Sequence, residues 1–199
     1  MSTAKEAARI GPNAILQVVA ALRDRLGDAR TAQVVTRAGL GAVLVRPPGH
    51  MVAETEVIAL HSGVRRELGG AEARAVMAAA GRGTGDYLLA NRIPRLAQRL
   101  LRVLPARLAS RALLAAIARH TWTFAGSGEC TLGRGYPVVV TIGDCPVCRG
   151  ERADAPLCDY YAQTFERLYA VLVNRSAHAR ETTCIAAGSD ACRFEIRWD

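Results

Sequence analysis

Glu181-Thr182-Thr183-Cys184-Ile185-Ala186-Ala187-Gly188-Ser189-Asp190-Ala191-Cys192-Arg193-Phe194-Glu195-Ile196 is the stretch from which the rest of the chain can be ordered. It predicts two strands, over residues 179–186 and 191–198, that fold back on each other about Gly188. Cys184 and Cys192 stand equally far from that glycine. An antiparallel pair centred there sets them opposite each other with both side chains on one face. Upstream, residues 157–174 read as a helix, entered from a loop that carries three cysteines. Tyr136-Pro137-Val138-Val139-Val140-Thr141-Ile142 is the clearest strand, with Pro137 near its start, where a missing N–H is tolerated. Thr121-Trp122-Thr123-Phe124 is short and β-prone and offers the strand before it, across the glycine-rich segment 126–135. The region 121–199 is therefore β-β-α-β-β, which points to an antiparallel sheet with a helix on one face.

The first 120 residues are helical in pattern. Segments 13–26, 31–40, 54–68 and 71–90 carry apolar residues at three- and four-residue spacing, punctuated by Gly27, Pro47-Pro48-Gly49 and Gly69-Gly70. Two more helices, 94–104 and 106–120, are separated by Pro105. The fold class expected is α+β: a helical portion, 1–120, packed on the 121–199 region in one unit. A chain of 199 residues can bury a sizeable core, and 50% hydrophobic with 22% charged side chains excludes the disordered and fibrous classes.

The net charge of +8 permits nucleic acid, an anionic membrane surface or a carboxylate-bearing ligand as partner, and selects none of them. No stretch approaches the roughly 20 apolar residues that span a bilayer. The apolar run at 14–22 keeps helical spacing and meets Arg23-Asp24-Arg25 at once, which predicts a cytoplasmic helix rather than a signal peptide. Six cysteines in a cytoplasmic chain point to metal or free thiols rather than disulfides.

Two thiolates placed as Cys184 and Cys192 can share one metal ion. Glu181 can add an oxygen, but strict alternation puts it on the other face from Cys184, so a bulge or strand end is required. Cys158, at the start of the long helix, can supply a fourth ligand where a thiolate is stabilised. Three sulfurs and one carboxylate in tetrahedral array suit zinc. Against this stands the plain alternative that cysteines are small buried hydrophobes. Cys145-Pro146-Val147-Cys148 is a C-x-x-C unit in a loop. It can be a redox pair, a loop staple or a second metal contact, and Arg149-Gly150-Glu151-Arg152 after it makes a poor helix for a thioredoxin-like site.

The tail from Cys184 to Ile196 resembles the closing motif of the 4-vinyl reductase domain, shared by bacteriochlorophyll-synthesis proteins, archaeal ligand-binding proteins and aromatic-responsive sensors. Three further blocks resemble the photosynthetic branch: Ile10-Gly11-Pro12-Asn13-Ala14-Ile15, the segment Thr84 to Pro94, and Ala116 to Gly128. The resemblance implies a trafficking-complex-like fold, a homodimer and structural zinc on Cys158, Glu181, Cys184 and Cys192. It also implies that the chain converts or handles divinyl protochlorophyllide, a Mg-tetrapyrrole whose C8 vinyl group is reduced on the way to bacteriochlorophyll.

Vinyl reduction needs two electrons and a proton, hence a nucleotide, flavin or iron–sulfur site. No G-x-G-x-x-G follows a strand; Gly81-Arg82-Gly83-Thr84-Gly85 has the wrong spacing and lies in a helical segment. The cysteine spacing fits neither ferredoxin pattern. A carrier or accessory protein that presents the pigment to another bacteriochlorophyll-synthesis enzyme needs only a pocket, and this is the preferred reading. The alternatives are a reductase using an external reductant and a small-molecule sensor.

For a Mg-porphyrin, His120 offers an axial imidazole, with Trp122 and Phe124 close by to stack on the macrocycle. His50, His61 and His178 are further imidazoles in a loop, mid-helix and at a strand start. Arg95 and Arg99, with Arg92 and Arg102, form a basic stripe that can hold a propionate, dock to anionic lipid at the membrane periphery, or simply be a solvated face. No recognition motif or aromatic interleaving accompanies the basic residues, so nucleic acid is not expected.

Overall fold

The computed structural model describes residues 8–199. A two-residue strand, β1 (Arg9–Ile10), precedes the long helix α1 (Asn13–Arg37). Gly27, at φ 76°, breaks α1 into the two helical runs the glycine predicts. A single turn, α2 (Ala42–Val45), leads to β2 (Val52–Ala53), which pairs antiparallel with β1. The start of α3 (Glu54–Leu68) is fixed by the Glu56 carboxylate, which accepts the Ala53 N–H, and its end by Gly69 at φ 72°. Helices α4 (Gly70–Asn91), α5 (Arg95–Val103) and α6 (Ala106–Ala118) follow, the last two each started by a proline.

One expectation fails at α7 (Trp122–Ala125). Thr121-Trp122-Thr123-Phe124 is a helical turn, not a strand. Local bonds from Thr123 N to His120 O and from Ala125 N to Thr121 O close it, at 2.9 and 2.8 Å. The Tyr161 hydroxyl donates to the Phe124 carbonyl at 2.6 Å and pins the turn to the core. The first strand of the sheet is instead β3 (Glu129–Gly133), inside the glycine-rich segment. The remaining elements are β4 (Val138–Gly143), α8 (Asp159–Leu172), β5 (His178–Thr183) and β6 (Ala191–Arg197). They give β-β-α-β-β in an antiparallel sheet of order β3-β4-β6-β5.

Alternation sets Val138, Val140 and Ile142 of β4 beside Ile196, Phe194 and Cys192 of β6 on one buried face. Helix α8 covers that face with Tyr161 and Phe165, whose rings meet Phe194 edge-on at 6.0 and 5.6 Å. On its other side α8 packs along α4, which α1 and α3 back. The α4–α8 approach depends on Gly81 and Gly85. A Cβ on Gly81 would collide with the Tyr160 carbonyl oxygen, and one on Gly85 would lie 2.7 Å from Arg167 Cβ. The glycine run that fails as a nucleotide loop is thus a helix-crossing surface. One continuous core runs through both halves of the chain.

Candidate metal centre

Five of the six cysteines converge beneath the N-terminus of α8. Cys158 caps that helix, Cys145 and Cys148 come from the loop after β4, Cys184 follows β5, and Cys192 lies in β6. All five are wholly buried and none is disulfide-bonded. Sulfur–sulfur distances are 3.8 Å for Cys145–Cys158, Cys158–Cys192 and Cys184–Cys192, and 3.5 Å for Cys148–Cys192. Four sulfurs held tetrahedrally at the ordinary zinc–sulfur length of about 2.3 Å lie about 3.8 Å apart. The spacing is that of one tetrahedral ion, tighter than a cuboidal iron–sulfur core allows.

Glu181 reaches the cluster because β5 is irregular. The β5–β6 register slips between Glu181 and Thr183, and this bulge puts Glu181 on the buried face with Cys192. Strand pairing ends at Thr183, and Ile185–Ala187 form a 3-10 turn closed by Gly188 at φ 87°. The two cysteines flanking the turn still face each other, with Cys184 just outside the strand.

The electrostatics point to a cation. Glu181 Oε2 accepts the Cys158 N–H at 2.7 Å, while Oε1 is buried with no partner. Burial pushes the Glu181 carboxyl up to about 8, opposed in part by that N–H, and burial likewise pushes the Cys158 thiol well up. A divalent ion is what allows such donors to ionise together in a buried site. Two donor quartets meet the requirement: Cys158, Glu181, Cys184 and Cys192, as expected, and Cys145, Cys148, Cys158 and Cys192. Either would hold zinc, and its chemistry there would be to cross-link the hairpin to α8.

The cysteine loop is anchored from α3. Glu54, buried at the start of α3, accepts bonds from the Ser127 amide at 3.2 Å and hydroxyl at 2.8 Å, and pairs with Arg149 at 3.1 Å. Arg149 also holds Asp144 at 2.8 Å. Ser62 donates to Glu151, and Arg65 donates to the Leu157 carbonyl at 3.3 Å. His61 lies wholly buried, with Nε2 3.1 Å from the Ala14 carbonyl and its ring edge-on to Tyr160. Sequence spacing announces none of these long-range contacts. The one signal it holds is polar residues on the apolar stripe of an amphipathic helix.

The expected pigment contacts do not all converge. His120 and Trp122 are exposed, and His120 Nδ1 lies 2.9 Å from the Ala116 carbonyl of its own helix. Phe124 turns inward instead, edge-on to Tyr161 and Phe165. Arg95 and Arg99 are exposed on α5. None of these five lines either of two clefts. One, of about 470 Å³, is bounded by residues including Ile15, Val43, Val45, Val52 and Glu56. The other, of about 240 Å³, lies between α6 and β3 and is bounded by residues including Leu114, Ala118, Thr121, Leu132 and Arg134.

An antiparallel sheet with one covering helix, locked by a buried thiol and carboxylate centre, defines the class, and residues 138–198 match the 4-vinyl reductase domain family. The whole chain extends the match: it is 46% identical to the bacteriochlorophyll synthase 23 kDa chain of Cereibacter sphaeroides, over 94% of this chain and 90% of that one. It is 41% identical to the chain of the same name from Rhodobacter capsulatus, over 94% of this chain and 86% of that one. The chain belongs to this family of bacteriochlorophyll-synthesis proteins with a 4-vinyl reductase domain. Among solved structures, it shares its fold with an H-NOX protein from S. oneidensis crystallised in the Fe(II)NO ligation state. That likeness has a TM-score of 0.50 and 12% identity, over 96% of this chain and 99% of that one.

Proposed function

We propose that this protein is an accessory subunit of bacteriochlorophyll biosynthesis that binds a Mg-tetrapyrrole, such as divinyl protochlorophyllide, and presents it to a partner enzyme. The observation that carries the reading is the near full-length identity to two proteins named as 23 kDa chains of bacteriochlorophyll synthase. The metal centre holds the hairpin, the cysteine loop and α8 together, and acts structurally. His120 supports the pigment reading: with Nδ1 bonded to the Ala116 carbonyl, Nε2 keeps its lone pair for an axial magnesium. Trp122, 60% exposed, supplies an open aromatic face beside it.

The test is a spectroscopic titration of the purified protein with divinyl protochlorophyllide. A shifted Soret band in the wild type, weakened in His120→Ala, is expected; an unshifted band removes pigment binding. Turnover by the pure protein with divinyl substrate and NADPH or reduced ferredoxin would replace the carrier with a reductase. Light scattering tests the homodimer.

Helix α5 favours a peripheral membrane contact as part of this role. Leu96, Leu100 and Val103, one stripe of the helix, are 78%, 58% and 78% exposed, and Arg95, Arg99 and Arg102 flank them. No Asp or Glu occurs from Arg92 to Gly128. Such a helix lies in the interface of an anionic bilayer. Co-sedimentation with phosphatidylglycerol vesicles but not phosphatidylcholine vesicles is expected, and Leu96→Glu with Leu100→Glu should abolish it. Equal recovery with both lipids, or with neither, argues against this contact.

A further inference from the structure

We propose that the cysteine cluster is a binuclear thiolate centre, in which two divalent ions share the sulfurs of Cys158 and Cys192. This rests on the reading of the cluster as a metal centre and goes beyond it in number and in ligands. The two donor quartets have two members in common, Cys158 and Cys192, with their sulfurs 3.8 Å apart. Two tetrahedra that share an edge need six donors, two of them bridging. Cys145, Cys148, Cys158, Cys184, Cys192 and Glu181 are six, and thiolate sulfur has the lone pairs to bridge.

A single ion leaves two donors stranded. In the quartet that includes Glu181, the spare groups are Cys145 and Cys148, both wholly buried, with the Cys148 sulfur 3.5 Å from that of Cys192. In the four-cysteine quartet, the spare groups are Cys184 and Glu181, whose Oε1 has no partner. Unsatisfied buried polar groups are costly, and a second ion satisfies all of them at once. It also offsets the charge of the two further anions it recruits, so the two-ion centre carries no more net charge than the one-ion centre. Each ion has a mainly sulfur shell, which selects zinc-type metals over magnesium or calcium. The position on Cys145, Cys148, Cys158 and Cys192 is all sulfur, while the other has one oxygen. The two therefore differ in softness, and the oxygen-containing position loses its ion first.

The experiment is metal titration of the full chain with zinc and, separately, cobalt. Two ions per chain are expected at saturation. The second cobalt should lower the paramagnetic resonance intensity, because bridging thiolates couple the spins. Cys145→Ser with Cys148→Ser should hold one ion, and so should Cys184→Ser with Glu181→Gln. One ion per chain in the saturated wild type overturns the binuclear centre and leaves the metal reading standing; no ion at all overturns both. Two cobalt ions with additive, uncoupled signals overturn the shared sulfurs. Should a variant fail to fold, the wild-type stoichiometry and coupling still decide.

Discussion

Replacing Gly81 with alanine should destabilise the protein, although alanine is the better helix former by about 1 kcal/mol. The added Cβ would collide with the Tyr160 carbonyl oxygen and sit 3.0 Å from Gln163 Cβ, so α4 and α8 must separate. Overpacking of this kind costs roughly 1–3 kcal/mol. Separation also stretches two buried bonds across the crossing. Thr164 Oγ1 donates to the Gly81 carbonyl at 3.0 Å, and the Thr84 and Tyr160 hydroxyls meet at 2.8 Å. Each contributes about 1 kcal/mol. Set against the propensity gain, the net loss is about 2–4 kcal/mol, equivalent to a melting point lower by roughly 4–16 °C in a chain of this size. Because Tyr160 lies two residues after Cys158, displacing α8 also moves a metal ligand, and metal loss to a chelator should quicken. Gly70→Ala is the control, since a Cβ there meets nothing within 4 Å. Urea unfolding with parallel chelator kinetics measures both effects. A Gly81→Ala protein as stable as wild type, or as stable as the Gly70→Ala control, would refute the reasoning.

Acid should act through His61. Burial, helped by Arg65, lowers its pKa to about 3 from 6.5, so the unfolded chain takes up the proton first. The stabilisation is therefore complete above about pH 6.5 and is lost as pH falls toward 3, by up to roughly 5 kcal/mol. Urea midpoints measured from pH 7 to pH 4 should fall in the wild type and fall less steeply in His61→Gln; parallel slopes would clear His61 of the role. Glu54→Gln should cost about 1–3 kcal/mol, because the Ser127 bonds weaken and Arg149 loses one of its two carboxylate partners. It should also speed metal release by freeing the cysteine loop. Unchanged unfolding and release rates would show that the anchor is dispensable.

Much of the fold was readable in the sequence where local pattern and tertiary demand agree. The 54–68 helix has a capping glutamate at one end and a left-handed glycine at the other, and the structure keeps both boundaries. The closing hairpin was readable because the 2.0 periodicity of residues 191–197 matches the face they bury. Glu181 needed a bulge to reach the cysteines, and the bulge is there. Thr121-Trp122-Thr123-Phe124 misled because its β-prone side chains express packing preference. Among the described residues no strand pairs with it, so local helical bonds prevail. Strand β3 was hidden because it is an edge strand with alternating half-buried Cys130 and Leu132 among glycines and polar residues. The union of Cys145 and Cys148 with the other three thiols was not legible at all. It depends on the loop being held down by Glu54, Ser62 and Arg65 from a helix about 90 residues earlier in the chain.

Zinc K-edge X-ray absorption on the protein as purified tests the central claim most directly. A buried thiol and carboxylate centre predicts a four-coordinate first shell dominated by sulfur at about 2.3 Å, with a minor oxygen contribution. Protein without bound metal, or a shell of nitrogen and oxygen alone at about 2.0 Å, would contradict it.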